Sequence, residues 1–319
     1  MYRIGVDLGG TNIAAGLVDS DYKIVLKKSI PTDTKNGSDK IANDIAKLCF
    51  MLCEEKGITM ADVAAIGIAA PGIAERSSGC VKYSCNLPFL NYPICEVVSK
   101  ATGVADVIVE NDANAAAWGE AVAGAAKGTT NSIMITLGTG VGGGIIIDNK
   151  ICSGFNSAGA EIGHIVIEYN GRPCSCGRRG CWEAYSSATA IINMTKEKIE
   201  ECEKNGRKTV MTELVEKKGK VSGATAFDAM RLGDEAGKEV VDMYIGYLAC
   251  GLTNMVNMFQ PEVISIGGGI SNEGQSLIDS VMPIVAAERY GGDIVKPTEI
   301  RIAELKNDAG IIGAALLSI

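Results

Sequence analysis

One pattern of strands and turns occurs twice in this chain, and it constrains the fold more than any other feature. Arg3 to Asp7 is a short β-branched run that ends in Asp7-Leu8-Gly9-Gly10-Thr11-Asn12. A second run, Ile13 to Val18, follows, then the turn Asp19-Ser20-Asp21 and a third run, Tyr22 to Ile30. About 130 residues later the order returns. Ser132 to Leu137 ends in Gly138-Thr139-Gly140-Val141-Gly142-Gly143-Gly144, Ile145 to Ile147 follows, and Asp148-Asn149 turns the chain into Ile151. The two copies share few residues, but strand, glycine turn, strand, turn, strand is the order in both. An internal duplication of this kind predicts two similar α/β lobes, each opening on an antiparallel edge.

The remaining segments fit that scheme. Residues 39–57 place Ile41, Ile45, Leu48 and Leu52 on one helical face. Val63 to Ala69 and Val107 to Val109 are buried strands, the second leading through Glu110-Asn111-Asp112 into an alanine-rich helix. Val240 to Phe259 is apolar but interrupted by Asp242, Asn254 and Asn257, which suits a core helix better than a membrane span. Thr195 to Lys220 is dense in Lys and Glu and is expected to be a solvated helical excursion. Glu262 to Ile266 is another strand, a helix is expected from Leu277 to Tyr290, and the apolar end from Gly310 to Leu317 should pack back on the core.

Glycine is abundant, at 39 of 319 residues, against a usual share of about 7%. Tight turns and close backbone approach to a ligand both call for it. The net charge of −8 argues against non-specific binding to nucleic acid or anionic membrane. The first residues lack the apolar stretch of an export signal, so a cytoplasmic setting with reduced thiols is expected for the 11 cysteines.

Gly138-x-Gly140-x-x-Gly143 matches the dinucleotide fingerprint in form, but that motif must open a helix, and Ile145-Ile146-Ile147 is a strand. A glycine turn between two strands can instead nest an anion on consecutive N–H groups. Two such turns could grip one polyphosphate. Asp7 and Asp112 each stand at the carboxyl end of a strand, where ligands of α/β sheets bind. One carboxylate near phosphates can hold Mg²⁺ while the other takes a proton from an alcohol. As a plain structural role, Asp112 could cap its helix.

His164 is the sole histidine. Cys174, Cys176 and Cys181 follow it in a turn-rich stretch, and His plus three Cys is a standard structural zinc set. Glu161 and Glu183 flank those ligands, so a metal there would also fix two carboxylates able to receive hydroxyls. The glycine turns are expected to lie elsewhere, so that the metal would serve a hydroxyl-bearing ligand more than the phosphates.

Asp7-Leu8-Gly9-Gly10-Thr11, Glu110-Asn111-Asp112-Ala113-Asn114, the 138–144 glycine run, Glu161-x-x-His164 and Cys174-x-Cys176-Gly177-x-x-Gly180-Cys181-x-Glu183 together resemble the ROK family of sugar kinases and sugar-responsive repressors. Cys181-Trp182-Glu183-Ala184-Tyr185-Ser186-Ser187-Ala188-Thr189 is most similar to its bacterial glucokinase type. The resemblance implies an α/β, actin-like (ribonuclease H-like) duplicated two-lobed fold with the active site in its cleft. It implies lobes at 1–113 plus 308–319 and at 114–307, the latter with the zinc knuckle. The implied activity is ATP-dependent phosphorylation of the 6-hydroxyl of a hexose, glucose first, with N-acetylmannosamine, N-acetylglucosamine, fructose and allose as alternatives.

By the same resemblance Asp112 is the base, and Asn111, Glu161, His164 and Glu183 bind sugar hydroxyls, with Gly72 and Asn86 adding sugar-side contacts. Asp7, Gly9, Gly10, Thr11, Asn12, Thr139 and Gly140 attend the phosphates and Gly268 the nucleoside. Mg²⁺ is the catalytic ion, Zn²⁺ is structural on His164, Cys174, Cys176 and Cys181, and a homodimer is expected. A non-catalytic repressor core is the rival reading; such repressors carry a DNA-binding helix-turn-helix ahead of the core, and with the first motif at Asp7 no room for one is expected.

Overall fold

A computed structural model describes Met1 to Ile319. The chain forms β1 (Tyr2–Leu8), β2 (Asn12–Val18), β3 (Ile24–Pro31), α1 (Gly37–Lys56), β4 (Val63–Ala70), β5 (Ile73–Glu75), β6 (Cys80–Tyr83), β7 (Leu90–Tyr92), α2 (Ile94–Thr102), β8 (Val107–Asn111) and α3 (Asp112–Ala123). It continues with β9 (Ser132–Leu137), β10 (Val141–Ile147), β11 (Lys150–Ile151), α4 (Glu183–Ser186), α5 (Ala188–Lys204), α6 (Val210–Lys218), α7 (Thr225–Arg231) and α8 (Glu235–Phe259). β12 (Val263–Gly267), α9 (Gln275–Glu288), β13 (Glu299–Ile302) and α10 (Ala309–Ala315) complete it.

The duplication is plain in the sheets. One has the order β3-β2-β1-β4-β8 and the other β11-β10-β9-β12-β13, the same 3-2-1-4-5 arrangement twice. In the first, β2 runs antiparallel to β1 and β3, while β4 runs parallel to β1 and β8. The edge strand β3 alternates half-buried and exposed residues and carries Lys27, Lys28 and Pro31, which discourage pairing with another chain. A third sheet, β5-β6-β7, was not visible as strands in the sequence, because its members are only three or four residues long.

The chain divides into two compact units. Unit 1 comprises 1–134, 144–160 and 303–319, and unit 2 comprises 135–143 and 161–302. The expected boundary after residue 113 does not coincide with this division, because α3 packs with the N-terminal sheet and with α10. Register explains how. Gly5 pairs with Gly16 on one side and with Gly67 on the other, so three glycines lie side by side across β2, β1 and β4. α10 occupies the groove they leave. A Cβ on Gly5 would come within 1.8 Å of the Ile311 carbonyl oxygen, and one on Gly67 within 1.8 Å of that of Ala314. Where α10 meets α3, a Cβ on Gly313 would lie 1.7 Å from the Ala115 oxygen. On the other face, Ile41, Ile45, Leu48 and Leu52 of α1 are buried with Ile4, Val6, Ile66, Ile68 and Val98 in one core.

In unit 2, α8 is the core helix the sequence suggested, started by Asp234, which caps Gly237 N–H. No helix of the chain is long and apolar enough to cross a membrane. The charged stretch from 195 is two helices rather than a free excursion. Thr195, Cys202 and Met211 are buried, and Lys198 and Arg207 both reach Glu239 on α8.

The glycine row makes a sharp stability prediction. Gly67→Ala drives a methyl into backbone, which cannot swing aside as a side chain can. The expected cost is about 3 kcal/mol or more, lowering the melting temperature by roughly 6–12 °C. Calorimetry against Gly246→Ala in α8, whose Cβ meets nothing within 4 Å at an ordinary φ, separates the packing clash from a generic glycine effect.

Candidate active site

In unit 1 the turn after β1 is closed by Gly9 N–H donating to the Asn12 carbonyl (2.9 Å). Thr32 then pins it from outside: its Oγ donates to the Gly9 carbonyl (2.7 Å) and its N–H to the Thr11 carbonyl (2.8 Å). A trans peptide points its C=O and the next N–H in opposite directions. Holding the Gly9 carbonyl toward Thr32 therefore turns the Gly10 N–H away, and neither Gly10 nor Thr11 donates its N–H within the fold. These are the free donors a phosphate needs. Asn86 lies alongside, its Cβ 3.7 Å from where a Gly10 Cβ would stand.

The expected cap at Asp112 belongs to its neighbour. Asn111 Oδ1 accepts from the N–H groups of Ala113 (2.9 Å) and Asn114 (3.1 Å), and Asn111 is the N-cap of α3. Its Nδ2 donates to the Gly72 carbonyl (3.1 Å), which brings those two candidates together. Asp112 stands at the first helical position. Oδ1 accepts from Ala113 N–H (2.9 Å), and the Asn111 amide also favours the charged form of the carboxyl. Burial pushes its pKa above the ordinary aspartate value, against the pull of its hydrogen bonds. Asp7 is raised too, first by burial and then by the Asp112 carboxylate, with Lys27 opposing.

Glu110, which sequence reasoning quoted but gave no role, supports this corner. It is buried, accepts from Asn111 N–H (2.9 Å) and Asn114 Nδ2 (3.1 Å), and has its pKa raised by burial.

In unit 2 the donor atoms of His164, Cys174, Cys176 and Cys181 all lie within 4.8 Å of one another. His164 Nδ1 is 3.6 Å from Cys174 Sγ, and Cys176 Sγ is 3.7 Å from Cys181 Sγ. Tetrahedral bonds of about 2.3 Å to sulfur and 2.0 Å to nitrogen put ligand atoms roughly 3.5–3.8 Å apart, so the set fits Zn²⁺ with every position filled by protein. Nδ1 is the ring nitrogen that faces the Cys174 sulfur. Turns build the knuckle: Gly177 N–H donates to the Cys174 carbonyl (3.1 Å), and Gly180, at φ +80°, passes so close to Glu168 that a Cβ would lie 1.7 Å from its oxygen. Trp182 anchors it to α8, where only a glycine at 251 leaves room; a Cβ there would be 1.9 Å from the indole.

The glycine turn of unit 2 is shorter than the sequence suggested. Only Gly138 to Gly140 turn, and Val141 to Gly144 already belong to β10, which also removes the dinucleotide reading. This turn does not lie apart from the zinc knuckle. Val141 N–H donates to Glu183 Oε2 (3.1 Å), and Ser175 Oγ donates to Glu183 Oε1 (3.0 Å). The Gly138 carbonyl accepts from Ala188 N–H (2.8 Å) and that of Thr139 from Thr189 Oγ (2.7 Å). By the same trans-peptide argument the N–H groups of Thr139 and Gly140 point the other way, and neither has a partner.

Thr139, Gly140, Cys174, Glu183 and Thr189 line one cavity of about 730 Å³. Glu161 is exposed at the start of the turn to His164. Gly268 adopts φ +85° under β9, where a Cβ would lie 2.5 Å from the Leu137 oxygen, so close packing by itself requires glycine there.

The family description "ROK family" matches residues 3–319. The chain belongs to the ROK family. Glucokinase of Thermotoga maritima is 36% identical over 98% of this chain and 95% of that protein. The crystal structure of a ROK family glucokinase from Streptomyces griseus, in complex with glucose and AMPPNP, is 34% identical, has a TM-score of 0.77 and matches 99% of this chain and 98% of that one. The xylose repressor of Bacillus spizizenii is 30% identical over 91% of this chain and 70% of that protein. The fold is the actin-like α/β fold with its duplicated sheets.

Two expectations follow for the isolated protein. Purified chain should carry about one zinc ion, and Cys176→Ser should lose it by elemental analysis. Asp112→Asn should raise the melting temperature at neutral pH. The folded pKa of Asp112 lies above its unfolded value, so ionisation on going to neutral pH costs stability and the neutral amide escapes that cost. The gain should shrink as pH falls and the native carboxyl takes up its proton; an equal gain at all pH values would contradict the assignment.

Proposed function

We propose that the chain is an ATP-dependent hexokinase that phosphorylates the 6-hydroxyl of glucose. The observation that carries this reading is Asp112. It is a half-buried carboxylate at a strand end, held at Oδ1 by the Ala113 N–H, with a pKa raised by burial. Such a group is suited to take the proton of an alcohol as its oxygen attacks the terminal phosphorus of ATP. The near full-length similarity to glucokinases supports the donor and the acceptor.

In this reading Gly9, Gly10, Thr11 and Asn12 in unit 1, and Thr139 and Gly140 in unit 2, receive phosphate oxygens, the free N–H groups supplying fixed positive dipoles where negative charge develops. Asp7 holds Mg²⁺, which neutralises phosphate charge. Glu161, Glu183 and His164 Nε2 take sugar hydroxyls, with Asn111, Asn86 and Gly72 on the sugar side in unit 1 and Gly268 beside the nucleoside. Zinc stays structural, holding His164 so that Nε2 is presented. Glu183 accepts hydroxyls only by sharing or giving up the bonds it makes to Val141 and Ser175. A homodimer is the expected assembly, checked by analytical ultracentrifugation.

A coupled assay with ATP and Mg²⁺ over a hexose panel tests the reading. Glucose should give the highest kcat/KM; a higher value for N-acetylmannosamine or another panel sugar redirects the substrate, and no turnover with any sugar favours a repressor-like binding role. Asp112→Asn should lower kcat by roughly 10²–10⁴. The acid limb of the wild-type kcat/KM profile should lie above the ordinary aspartate value, since protonation of the raised carboxyl removes the base.

A further inference from the structure

Two threonines to which the sequence assigned no role hold the two glycine turns in the same way. In unit 1, Thr32 Oγ donates to the Gly9 carbonyl at 2.7 Å. In unit 2, Thr189 Oγ donates to the Thr139 carbonyl at 2.7 Å. Each turn has its own closing bond, Gly9 N–H to the Asn12 carbonyl (2.9 Å) and Gly138 N–H to the Gly140 carbonyl (3.0 Å). In each, the carbonyl gripped by threonine belongs to the peptide whose N–H is one of the unpartnered donors, that of Gly10 or of Gly140.

We infer that Thr32 and Thr189 are positioning residues for the phosphate donor, each fixing one peptide plane so that its N–H is presented to a triphosphate. The inference rests on the kinase reading for the identity of that ligand. The physics is that of preorganisation. A glycine-flanked peptide can rotate at little cost, and rotation would carry the N–H away and bring a carbonyl oxygen toward the phosphates. A hydroxyl that grips the carbonyl opposes that rotation before the ligand arrives. Neither threonine needs to touch the ligand to do this.

The other ties on the turns do not replace the hydroxyls. Thr32 N–H secures the Thr11 carbonyl and Ala188 N–H the Gly138 carbonyl, each a neighbouring peptide. Glu183 holds Val141 N–H at the far end of the second turn. The Gly9 and Thr139 carbonyls have only the threonines.

Thr32→Val and Thr189→Val remove the donor and keep the shape; Thr32→Ser and Thr189→Ser keep the donor. Titration calorimetry of Mg²⁺·AMPPNP and of adenosine with the full chain reads phosphate and nucleoside recognition separately, and melting temperature reports the fold. Each Val variant should weaken AMPPNP binding about three- to tenfold, leave adenosine affinity and the glucose KM within about twofold, and be restored by Ser. Where a Val variant does not fold, the Ala variant takes its place in the same titrations. AMPPNP affinity unchanged in both Val variants overturns the inference, as does an equal loss for adenosine. If the wild-type chain binds AMPPNP but phosphorylates no sugar, the sugar kinase reading fails while the comparison of Val with Ser still decides the threonines. If it binds no AMPPNP, both fail.

Discussion

The docking of α10 onto the glycine row of the first sheet is the constraint on which unit 1 depends. Gly16, Gly5 and Gly67 lie abreast on three strands; the helix backbone takes the volume that side chains at Gly5 and Gly67 would have filled, and the Ile311 side chain that at Gly16. The chemistry is tied to this contact. Asp7 is two residues beyond Gly5 on the same strand and so on the same face. Gly310, at the start of α10, consequently rests against the Asp7 carboxylate, where its Cβ would be 3.3 Å away. The packing that fixes the core thus also takes Asp7 out of water, and burial is the first cause of its raised pKa. α3 rests on the same helix through Gly313 and begins with Asp112. One close-packed helix therefore sets the environment of both carboxylates.

Backbone orientation is the second economy. Four N–H groups, of Gly10, Thr11, Thr139 and Gly140, are left without partners, an arrangement that elsewhere in a fold would be a defect. Here the Gly9, Gly138 and Thr139 carbonyls, in the same peptides as the Gly10, Thr139 and Gly140 N–H groups, are each engaged, so those donors are directed outward. The duplicated architecture carries the arrangement twice, with different partners: a threonine supplying both hydroxyl and N–H in unit 1, and the start of α5 in unit 2.

Much of this was legible in the sequence and some was not, for reasons that differ by residue. The two hairpins, α1, β4 and β8 were visible because their periodicity is local. The His164–Cys181 cluster was visible because thiols and imidazole have few other uses in that density. The cap was misplaced by one residue, since Asn111 and Asp112 are both good caps and only geometry chooses between them. The strand assignment of Val141 to Gly144 was hidden because glycines there suggest a loop; in fact Gly144 clears space for Ala117 of α3, whose Cβ would be 2.6 Å from a Cβ at 144. The roles of Thr32 and Thr189 were invisible, although Thr189 closes the stretch that carries the resemblance. A threonine's value as a clamp depends on which distant carbonyl it meets, and Thr189 is fifty residues from its partner.

Glu183 shows most clearly how the metal and the turns depend on one another. From spacing it was a carboxylate placed by zinc to receive sugar. In the folded chain it is also the acceptor for Val141 N–H and Ser175 Oγ, so it spans from the glycine turn to the metal knuckle. A Cβ on Gly140 would sit 2.2 Å from its Oε2, which leaves that position no side chain but hydrogen. Cys174 Sγ also stands 3.6 Å from Oε1, so both oxygens are engaged within unit 2. Zinc, by fixing Cys181 two residues away, would bear on the Gly138–Gly140 turn as well as on His164, so this turn and the metal knuckle are one connected piece.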